Sequence, residues 1–286
     1  MKKIKTSLVL EGGGMRGAYT AGALTWLIEN NIEFDNAYGI STGAIHLCNY
    51  LMKDTENLFN FSTSYICDKR IIGAKSFGRS GRFVDYDFMF DELLVKQYNY
   101  NIEPLKNVKT EGYVGLYELD KGRTEYTSVH DVSIAELKAA CTLPLIGKAV
   151  EYNGRHLFDG GITEMIPIKQ AIDDGCKKHI IITTKPGDFV RKKSKKAIVK
   201  LMKAAYPKWP SVYQDYAIRH LNYQKQISLI KSLQEKNEAV YIFPSKNSNV
   251  SRLGGSHEEL VELFELGKAD MEARKAEIFA LLGKNA

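Results

Sequence analysis

Three short segments carry residue types that could perform chemistry. Gly12–Gly17 matches G-x-G-x-x-G, Gly39–Gly43 matches G-x-S-x-G, and Asp159–Gly161 is an Asp-Gly-Gly turn. Together they offer a hydroxyl, a carboxylate and a loop of closely spaced backbone N–H groups. Those are the nucleophile, the base and the oxyanion donors that an acyl-transfer reaction uses.

The Gly12–Gly17 loop is compatible with two chemistries. As a dinucleotide fingerprint it would hold a pyrophosphate at a helix N-terminus, with Asp35 available for the ribose about 20 residues later. As an oxyanion hole it would direct consecutive N–H groups at one point, where the charge of a tetrahedral intermediate develops. A tight turn without a ligand would recruit the same glycines, so this loop alone does not decide between them.

Ser41 stands between a short predicted strand and a predicted helix, the context in which G-x-S-x-G marks a nucleophile elbow. The flanking Gly39 and Gly43 remove the Cβ atoms that would clash at such a strained corner. The following helix would supply its positive end and the N–H of Thr42. The simpler alternative is that Ser41 is only an N-cap.

The spacing of the two glycine-rich turns is more specific than either turn. About 24 residues separate the glycine loop from Ser41, which suits two adjacent parallel strands joined by one helix. The turns that follow such strands lie side by side at one edge of the sheet. Oxyanion donors and nucleophile would then face one another, an arrangement for which a dinucleotide fold has no need.

Asp159 is the candidate base, because it follows a predicted strand over 155–158 and precedes two glycines that permit a sharp turn. His156, three residues earlier, would lie on the opposite face of that strand. Taken alone, Asp159–Gly161 could equally be an ordinary Asp-Gly turn. The other histidines lie in no recognisable motif: His46, His130, His179, His220 and His257.

The hydrophobic pattern predicts an alternating α/β chain. It opens with a βαβα unit typical of a parallel sheet with crossover helices: strand 7–10, helix 18–29, strand 36–40 and helix 42–52. Further strands are predicted at 112–119, 123–128, 149–152, 155–158, 179–184 and 239–243, with a hairpin at Gly122 between the first two. Helices are predicted at 134–141, 167–174, 211–235 and 258–282.

The chain has 286 residues, of which 44% are hydrophobic and 26% charged. This composition excludes a disordered tail protein, a collagen or a coiled coil. No repeat or long linker is present, so we expect a single α/β domain over 1–286. The four cysteines are scattered without a C-x-x-C pair, which argues against zinc fingers and disulfide frameworks and fits a reducing cytosol.

Membrane spans and signal sequences are not expected. No run of about 18 apolar residues is present, and Leu8–Leu10 is far shorter than a signal-peptide core. We therefore expect a cytoplasmic protein that is soluble or peripheral to the inner face of the membrane.

The segment 189–214 disturbs the charge balance. It holds eight Lys or Arg, spread over Arg191–Lys208, and no acid, against a net charge of +6 for the whole chain. Mixed with apolar residues such as Val190 and Trp209, these cations could lie on an anionic lipid surface. A solvated helix is the simpler alternative, and so mild an overall charge predicts no nucleic-acid partner.

In their order and spacing the three motifs resemble the signature of the patatin-like phospholipase family, in particular its bacterial members. That family shows an acidic residue before G-G-G-x-R-G, then G-x-S-x-G, then D-G-G/A. These stand here as Glu11–Gly17, Gly39–Gly43 and Asp159–Gly161. The resemblance extends to a Leu-Pro pair before the aspartate and an Ile-Pro-Ile run after it. It covers residues 6–187 and is thin beyond them.

The resemblance implies a three-layer α/β/α fold with a central, mostly parallel sheet and a nucleophile elbow between strand and helix. It implies one patatin-like domain over 1–286, with core motifs in 6–187 and a basic segment and helical part in 188–286. The implied activity is that of a serine-dependent lipid acyl hydrolase of the phospholipase A or esterase type. Its substrate would be a phospholipid or other fatty-acyl ester, and no metal or other cofactor is implied.

By the same resemblance, Ser41 is the nucleophile and Asp159 the base of a Ser–Asp dyad that forms an acyl-enzyme without a histidine. The implied oxyanion and substrate-binding residues are Gly12, Gly13, Gly14, Arg16 and Thr42. Thr42 stands where alanine is usual, and Glu11 where aspartate is commoner. Because a carboxylate is a weak base for an alcohol, we expect Asp159 to be partly desolvated with a raised pKa.

Two other functions stay open from the sequence. One is a catalytically idle or regulatory lipid-binding protein on the same fold, and the other is a dinucleotide-binding oxidoreductase that uses Gly12–Gly17. A group of apolar residues lies between the G-x-S-x-G motif and the Asp-Gly-Gly turn. These residues could line an acyl pocket, form a lid or belong to the core: Phe59, Phe61, Tyr65, Ile66, Tyr86, Phe88, Met89 and Phe90.

Overall fold

A computed structural model describes residues 4–284. Within them lie eight strands: β1 (Thr6–Leu10), β2 (Asn36–Ile40), β3 (Glu111–Glu118), β4 (Arg123–Ser128), β5 (Val150–Tyr152), β6 (Arg155–Asp159), β7 (Lys178–Ile182) and β8 (Ala239–Ile242). They form one sheet in the order β5-β6-β3-β2-β1-β7-β8, with β4 paired to β3. Every strand predicted from the sequence is present, with ends shifted by at most two residues.

The middle of the sheet is parallel. β1 pairs with β2 on one side and β7 on the other, and β2–β3 and β7–β8 are also parallel. β1 and β7 each end in three consecutive apolar residues, because both faces of these strands are covered. Leu8 and Leu10 point into one core, and Val9 points into a second core on the opposite face.

The long strand β3 brings the two candidate catalytic turns together. Ile40 at the end of β2 lies opposite Gly115 of β3, and Asp159 at the end of β6 lies opposite Leu116. Since these partners are neighbours in β3, the ends of β2 and β6 meet there. Ser41, which follows Ile40, is thereby placed beside Asp159.

Helices cover both faces of the sheet and confirm the three-layer α/β/α prediction. They are α1 (Gly17–Glu29), α2 (Thr42–Leu51), α3 (Thr55–Thr63), α4 (Ala74–Ser80), α5 (Ile134–Cys141), α6 (Ile168–Asp173), α7 (Lys196–Ala205), α8 (Pro210–Glu235), α9 (His257–Ala273) and α10 (Lys275–Leu282), with a π-helical segment at Phe88–Gln97. The core on the face of Leu8 is built with α1, α2 and α9, and that on the face of Val9 with α6 and α8.

The helix predicted over 258–282 is wrong as a single element. The chain breaks at Arg274, whose backbone leaves the helical region at φ −104° and ψ 10°. Its guanidinium forms an ion pair with Glu277 in the first turn of α10. The helices α3 and α4 and the π-helical segment were not predicted from the hydrophobic pattern. Residues 196–205 were expected only as part of a basic segment.

Two helices from distant parts of the chain, α1 and α9, pack with their backbones in contact. A Cβ on Gly22 would lie 1.8 Å from the carbonyl oxygen of Phe264, and one on Gly267 would lie 2.1 Å from that of Tyr19. Hydrogen bonds from the Tyr19 hydroxyl and the Trp26 indole to carboxylates of α9 add to this contact. The C-terminal helices are therefore fixed directly to the helix that follows the glycine loop.

Candidate active site

Ser41 occupies a strained corner between β2 and α2. Its backbone has φ 58° and ψ −131°, in a region that residues with a side chain rarely adopt. Ser41 occupies the N-cap position of α2, as the simpler alternative predicts, but its side chain makes no capping hydrogen bond, so its hydroxyl does not cap the helix. The corner instead places the hydroxyl in a cavity, as a nucleophile elbow does.

The glycine loop lies against this serine. A Cβ on Gly12 would lie only 2.7 Å from the Ser41 Cβ, so a side chain at Gly12 would displace the corner. Gly14 has φ +59°, and a Cβ there would meet the backbone oxygen of Arg252 at 2.2 Å. The loop and the serine corner therefore share one cavity wall, as the spacing of the motifs predicts.

Two backbone N–H groups of the loop form only long hydrogen bonds. Gly12 N–H donates to the Met165 carbonyl at 3.4 Å, and Gly13 N–H donates to the Thr42 hydroxyl at 3.3 Å. Both distances exceed the usual range for such bonds. The hydroxyl that distinguishes Thr42 from alanine thus contacts the glycine loop directly.

Asp159 is buried beside Ser41, with 3% of its surface exposed. Its Oδ1 accepts a hydrogen bond from Gly161 N–H at 2.7 Å. Burial raises the pKa of Asp159, and the hydrogen bonds from Gly161 and from the Ser41 hydroxyl oppose that rise only in part. The expected desolvation of this carboxylate is confirmed.

Glu11, at the start of the glycine loop, forms a buried ion pair with Lys185. The other carboxylate oxygen accepts from the backbone and hydroxyl of Thr184 at 2.8 and 3.1 Å. Burial alone would raise the pKa of Glu11, but the Lys185 ammonium and the Thr184 hydrogen bonds outweigh it and hold the pKa below its usual range. This pair ties the glycine loop to the end of β7.

The cavity around Ser41 and Asp159 has a volume of about 70 Å³. One set of lining residues is apolar and comes largely from 61–89: Phe61, Ile66, Ile71, Ile72, Val84, Tyr86 and Met89. Lining of a pocket was one of the roles that the sequence left open for the apolar group in this stretch. Another set is cationic: Arg16, Lys185, Arg191, Arg219 and Arg252.

All six histidines lie within residues 4–284, and in that part of the chain none lines the cavity. His156 is bonded to Asp120 at 2.8 Å, away from Asp159, as strand alternation predicts. His46 is packed beneath Gly17, and burial lowers its pKa to about 3. The histidines nearest to the motifs in sequence are therefore not placed to act as bases.

Asp35 does not serve the glycine loop. It lies before β2, and its carboxylate accepts hydrogen bonds from the backbone and hydroxyl of Thr6 at 2.8 and 3.0 Å. Thr6 begins β1, whereas the glycine loop follows the end of that strand. Asp35 and the loop are thus at opposite ends of the parallel strands, which removes the ribose partner that the dinucleotide interpretation requires.

Several cavity residues were missed in the sequence analysis. Lys185 had one usable signal, because polar residues directly after a buried strand of a parallel sheet lie at its carboxyl edge. Arg191 was counted among the surface cations, but it is half-buried and lines the cavity. Arg219 and Arg252 carry no spacing signal, because only the packing of α8 and of the loop before α9 brings them to the cavity.

Comparison with known proteins agrees with this geometry. The family model described as patatin-like phospholipase matches residues 8–172, more than half of the chain. The chain therefore belongs to the patatin-like phospholipase family. A second model, for a domain of unknown function, matches residues 209–283.

Individual relatives are distant. The uncharacterized protein YjjU of Escherichia coli is 24% identical over 65% of this chain and 53% of its own length, so the chain spans about half of that relative. The probable lipid hydrolase 463L of Invertebrate iridescent virus 6 is 26% identical over 62% of this chain and 67% of its own length. Among solved structures, VipD from Legionella pneumophila shares the fold with a TM-score of 0.56 at 13% identity, over 96% of this chain and 67% of its own.

Within residues 4–284, no helix is both long enough and apolar enough to cross a bilayer.

Proposed function

We propose that this protein is a serine-dependent lipid acyl hydrolase of the phospholipase A or esterase type. One observation carries the proposal: Ser41, on a strained corner, and the desolvated Asp159 carboxylate interact in a cavity that the glycine loop also lines. Membership of the patatin-like phospholipase family and the likeness to a probable lipid hydrolase support a lipid ester as substrate.

In the acylation step, Asp159 accepts the Ser41 proton while the serine oxygen attacks the ester carbonyl carbon. The carbonyl electron pair moves to oxygen, and the glycine loop stabilises that oxyanion through its backbone N–H groups. The long hydrogen bond from Gly13 to Thr42 can be exchanged for one to the oxyanion. Collapse of the intermediate expels the alcohol, which takes the proton from Asp159.

In the deacylation step, water gives a proton to Asp159 and attacks the acyl-enzyme carbonyl carbon. The Ser41 oxygen leaves and recovers that proton, and a fatty acid is released. Arg16, at the end of the glycine loop, is proposed to bind substrate or position the loop. The apolar lining from 61–89 is proposed to hold the acyl chain.

The nucleophile assignment is tested by changing Ser41→Ala, with Ser228→Ala, an exposed serine of α8, as the matched control. We expect Ser41→Ala to lower kcat/KM on p-nitrophenyl butyrate by at least about 1,000-fold, because the variant lacks the hydroxyl that is proposed to attack the ester. A fluorophosphonate probe should label wild type and the control but not Ser41→Ala.

Two outcomes would contradict the proposal. A folded Ser41→Ala protein within tenfold of wild type would remove Ser41 as the nucleophile. Wild type that neither hydrolyses esters nor reacts with the probe, but binds lipid, would favour the catalytically idle lipid-binding protein.

We further propose peripheral contact of Arg191–Lys208 with an anionic membrane at its cytoplasmic face. Seven lysines of this segment are exposed, and so are the apolar side chains of Val190 and Leu201, at 67% and 57%. The opposite side of α7 is held to the protein by the buried Met202 and by a hydrogen bond between Tyr206 and Leu145. Cations mixed with exposed apolar side chains favour an anionic lipid surface.

Membrane contact is tested with vesicles that contain phosphatidylglycerol. Replacement of Lys192, Lys193, Lys195 and Lys196 by Gln should weaken vesicle binding at least about tenfold. The difference in binding between this variant and wild type should shrink as the salt concentration increases. The matched control places Gln at four exposed lysines elsewhere: Lys225, Lys231, Lys236 and Lys246. Equal binding by the two quadruple variants would mean that the segment is only a solvated helix and does not contact the membrane.

A further inference from the structure

The cavity is lined by more cationic side chains than the proposed Ser–Asp dyad requires. Lys185 is neutralised by Glu11, but four arginines remain against the single lining carboxylate of Asp159. Among the described residues, none of these arginines forms an ion pair with a carboxylate; they are Arg16, Arg191, Arg219 and Arg252. Arg191 lies over the Tyr223 ring at 4.8 Å and Arg219 over the Tyr216 ring at 4.9 Å, but these contacts supply no anion. Several cations at a cavity wall without an anionic partner are costly.

Two of the guanidinium groups have buried donors without acceptors. The Nε atoms of Arg16 and Arg191 are buried and have no hydrogen-bond partner. By contrast, Arg219 Nε donates to the Gly161 carbonyl at 2.8 Å. A buried donor that lacks an acceptor costs free energy, which a ligand oxygen would recover.

The arginines are also close enough to repel one another. Burial lowers the pKa of Arg16, and the charge of Arg252 lowers it further. Burial, Arg191 and Arg252 lower the pKa of Arg219 to about 10. An anion among these groups would be attracted by several of them at once.

Part of the cluster comes from the region 209–283, which matches a domain of unknown function. Arg252 lies directly on the glycine loop: its carbonyl accepts from Met15 N–H at 3.0 Å, and a Cβ on Gly14 would lie 2.7 Å from its Cγ. Arg219 reaches the turn after Asp159 from α8. This region therefore contributes charge within contact distance of the proposed catalytic turns.

We propose that Arg16, Arg191, Arg219 and Arg252 bind the phosphate of a lipid headgroup, so that the C-terminal region selects acyl esters that carry a phosphate near the scissile bond. The proposal rests on the acyl hydrolase function proposed above. Guanidinium groups match phosphate oxygens with paired N–H donors, and several of them around one site suit a group with more than one anionic oxygen. The weakly held N–H groups of the glycine loop would stay available for the ester oxyanion.

The selectivity is tested with 1-hexanoylglycerol 3-phosphate and 1-hexanoylglycerol, whose short chain keeps both in solution and away from membrane effects. Wild type should have the higher kcat/KM on the phosphate ester. Arg191→Gln and Arg252→Gln should each lower the ratio of the two kcat/KM values at least about tenfold, as expected for loss of a charged hydrogen bond. Lys225→Gln, an exposed cation of α8, is the matched control and should keep the wild-type ratio.

Binding gives a second measurement that does not depend on turnover. Calorimetry on Ser41→Ala should show binding of 1-hexanoylglycerol 3-phosphate that is weakened at least about tenfold by Arg191→Gln or Arg252→Gln. The melting temperatures of the arginine variants should be unchanged or higher, because each removes a charge that has no carboxylate partner and is repelled by the other arginines. A merely structural arginine would lower the melting temperature and leave the substrate ratio unchanged.

Three results are decisive. Ser41-dependent hydrolysis without preference for the phosphate ester overturns the headgroup site and leaves the hydrolase proposal intact. Absence of Ser41-dependent hydrolysis, together with arginine-dependent binding, overturns the hydrolase proposal and supports the phosphate site. Inorganic phosphate that binds as tightly as the phosphate ester assigns the cluster to free phosphate and overturns its role in selecting lipids.

Discussion

At the scale of single residues, the basicity of Asp159 decides whether this site can work without a histidine. An exposed carboxylate is too weak a base to take a proton from an alcohol efficiently. Burial of Asp159 raises its pKa and thus its affinity for the Ser41 proton, while the Gly161 N–H keeps the carboxylate oriented. Asp159 is therefore both the proposed base and the residue at which the turn after β6 begins.

The pH dependence of kcat/KM follows from this shift. Asp159 is a base only when it is deprotonated, so activity should be lost as the pH falls through its pKa, at an inflection above the ordinary aspartate value of about 3.9. Asp159→Asn should abolish turnover, because the amide keeps the shape of the side chain without its basic oxygen. Initial rates on p-nitrophenyl butyrate between pH 4 and 9 measure both effects.

The histidines provide the control for this profile. His46→Gln and His156→Ala should stay within about tenfold of wild type, or about 1.4 kcal/mol in the barrier, and should keep the acid limb. An active Asp159→Asn protein alongside an inactive but folded histidine variant would replace the dyad by a Ser-His-Asp triad.

The sequence predicts individual residues well where the chain itself forces a local conformation. Ser41 and Asp159 lie at turns that need flanking glycines, and such turns leave a motif at fixed spacing. Arg219 and Arg252 lie 60 and more residues beyond Asp159, on a helix and a loop whose own patterns demand no arginine. Their meeting at the cavity is a property of packing, so no motif could have revealed it.

At the scale of elements, the strands were predictable and several helices were not. The buried strands are short apolar runs with glycine or polar turns after them, and that pattern is local. Between 55 and 97 the apolar residues face both the main core and the cavity, so they show no single helical period. The break at Arg274 left no signal, because the residues around it are all good helix formers.

The contact between α1 and α9 yields a stability prediction. Gly22→Ala and Gly267→Ala should each lower the free energy of unfolding by roughly 2–3 kcal/mol, because the new methyl group meets a backbone carbonyl that cannot move alone. Urea denaturation followed by circular dichroism measures the change.

The matched control is Gly78→Ala in α4, where a Cβ would have no neighbour within 4 Å. That change should leave the protein equally stable or stabilise it by up to about 1 kcal/mol, because alanine is the better helix former. Similar free energies of unfolding for all three variants would mean that the close contact between α1 and α9 contributes little to stability.

At the scale of the whole molecule, we propose that residues 8–172 and 209–283 form one folding unit, as the single domain expected over 1–286 requires. Three kinds of contact support this. β8 joins the sheet through β7, which pairs with β1; α9 packs on α1; and the Arg252 loop bonds to the glycine loop. The cavity around Ser41 depends on both regions folding together, because its wall comes from both.

A single unit should unfold in a single transition, and the two tryptophans allow a test. Trp26 of α1 donates to Glu272 of α9 at 2.7 Å, so its fluorescence reports separation of those helices. In a Trp209→Phe variant, the denaturation midpoint of Trp26 fluorescence should coincide with that of far-ultraviolet circular dichroism. In the reciprocal Trp26→Phe variant, Trp209, which donates to Asp120, should again coincide with the circular dichroism. If Trp26 responded at lower denaturant while most helical signal remained, the C-terminal helices would be a separate unit, and the arginine wall could open independently of the sheet.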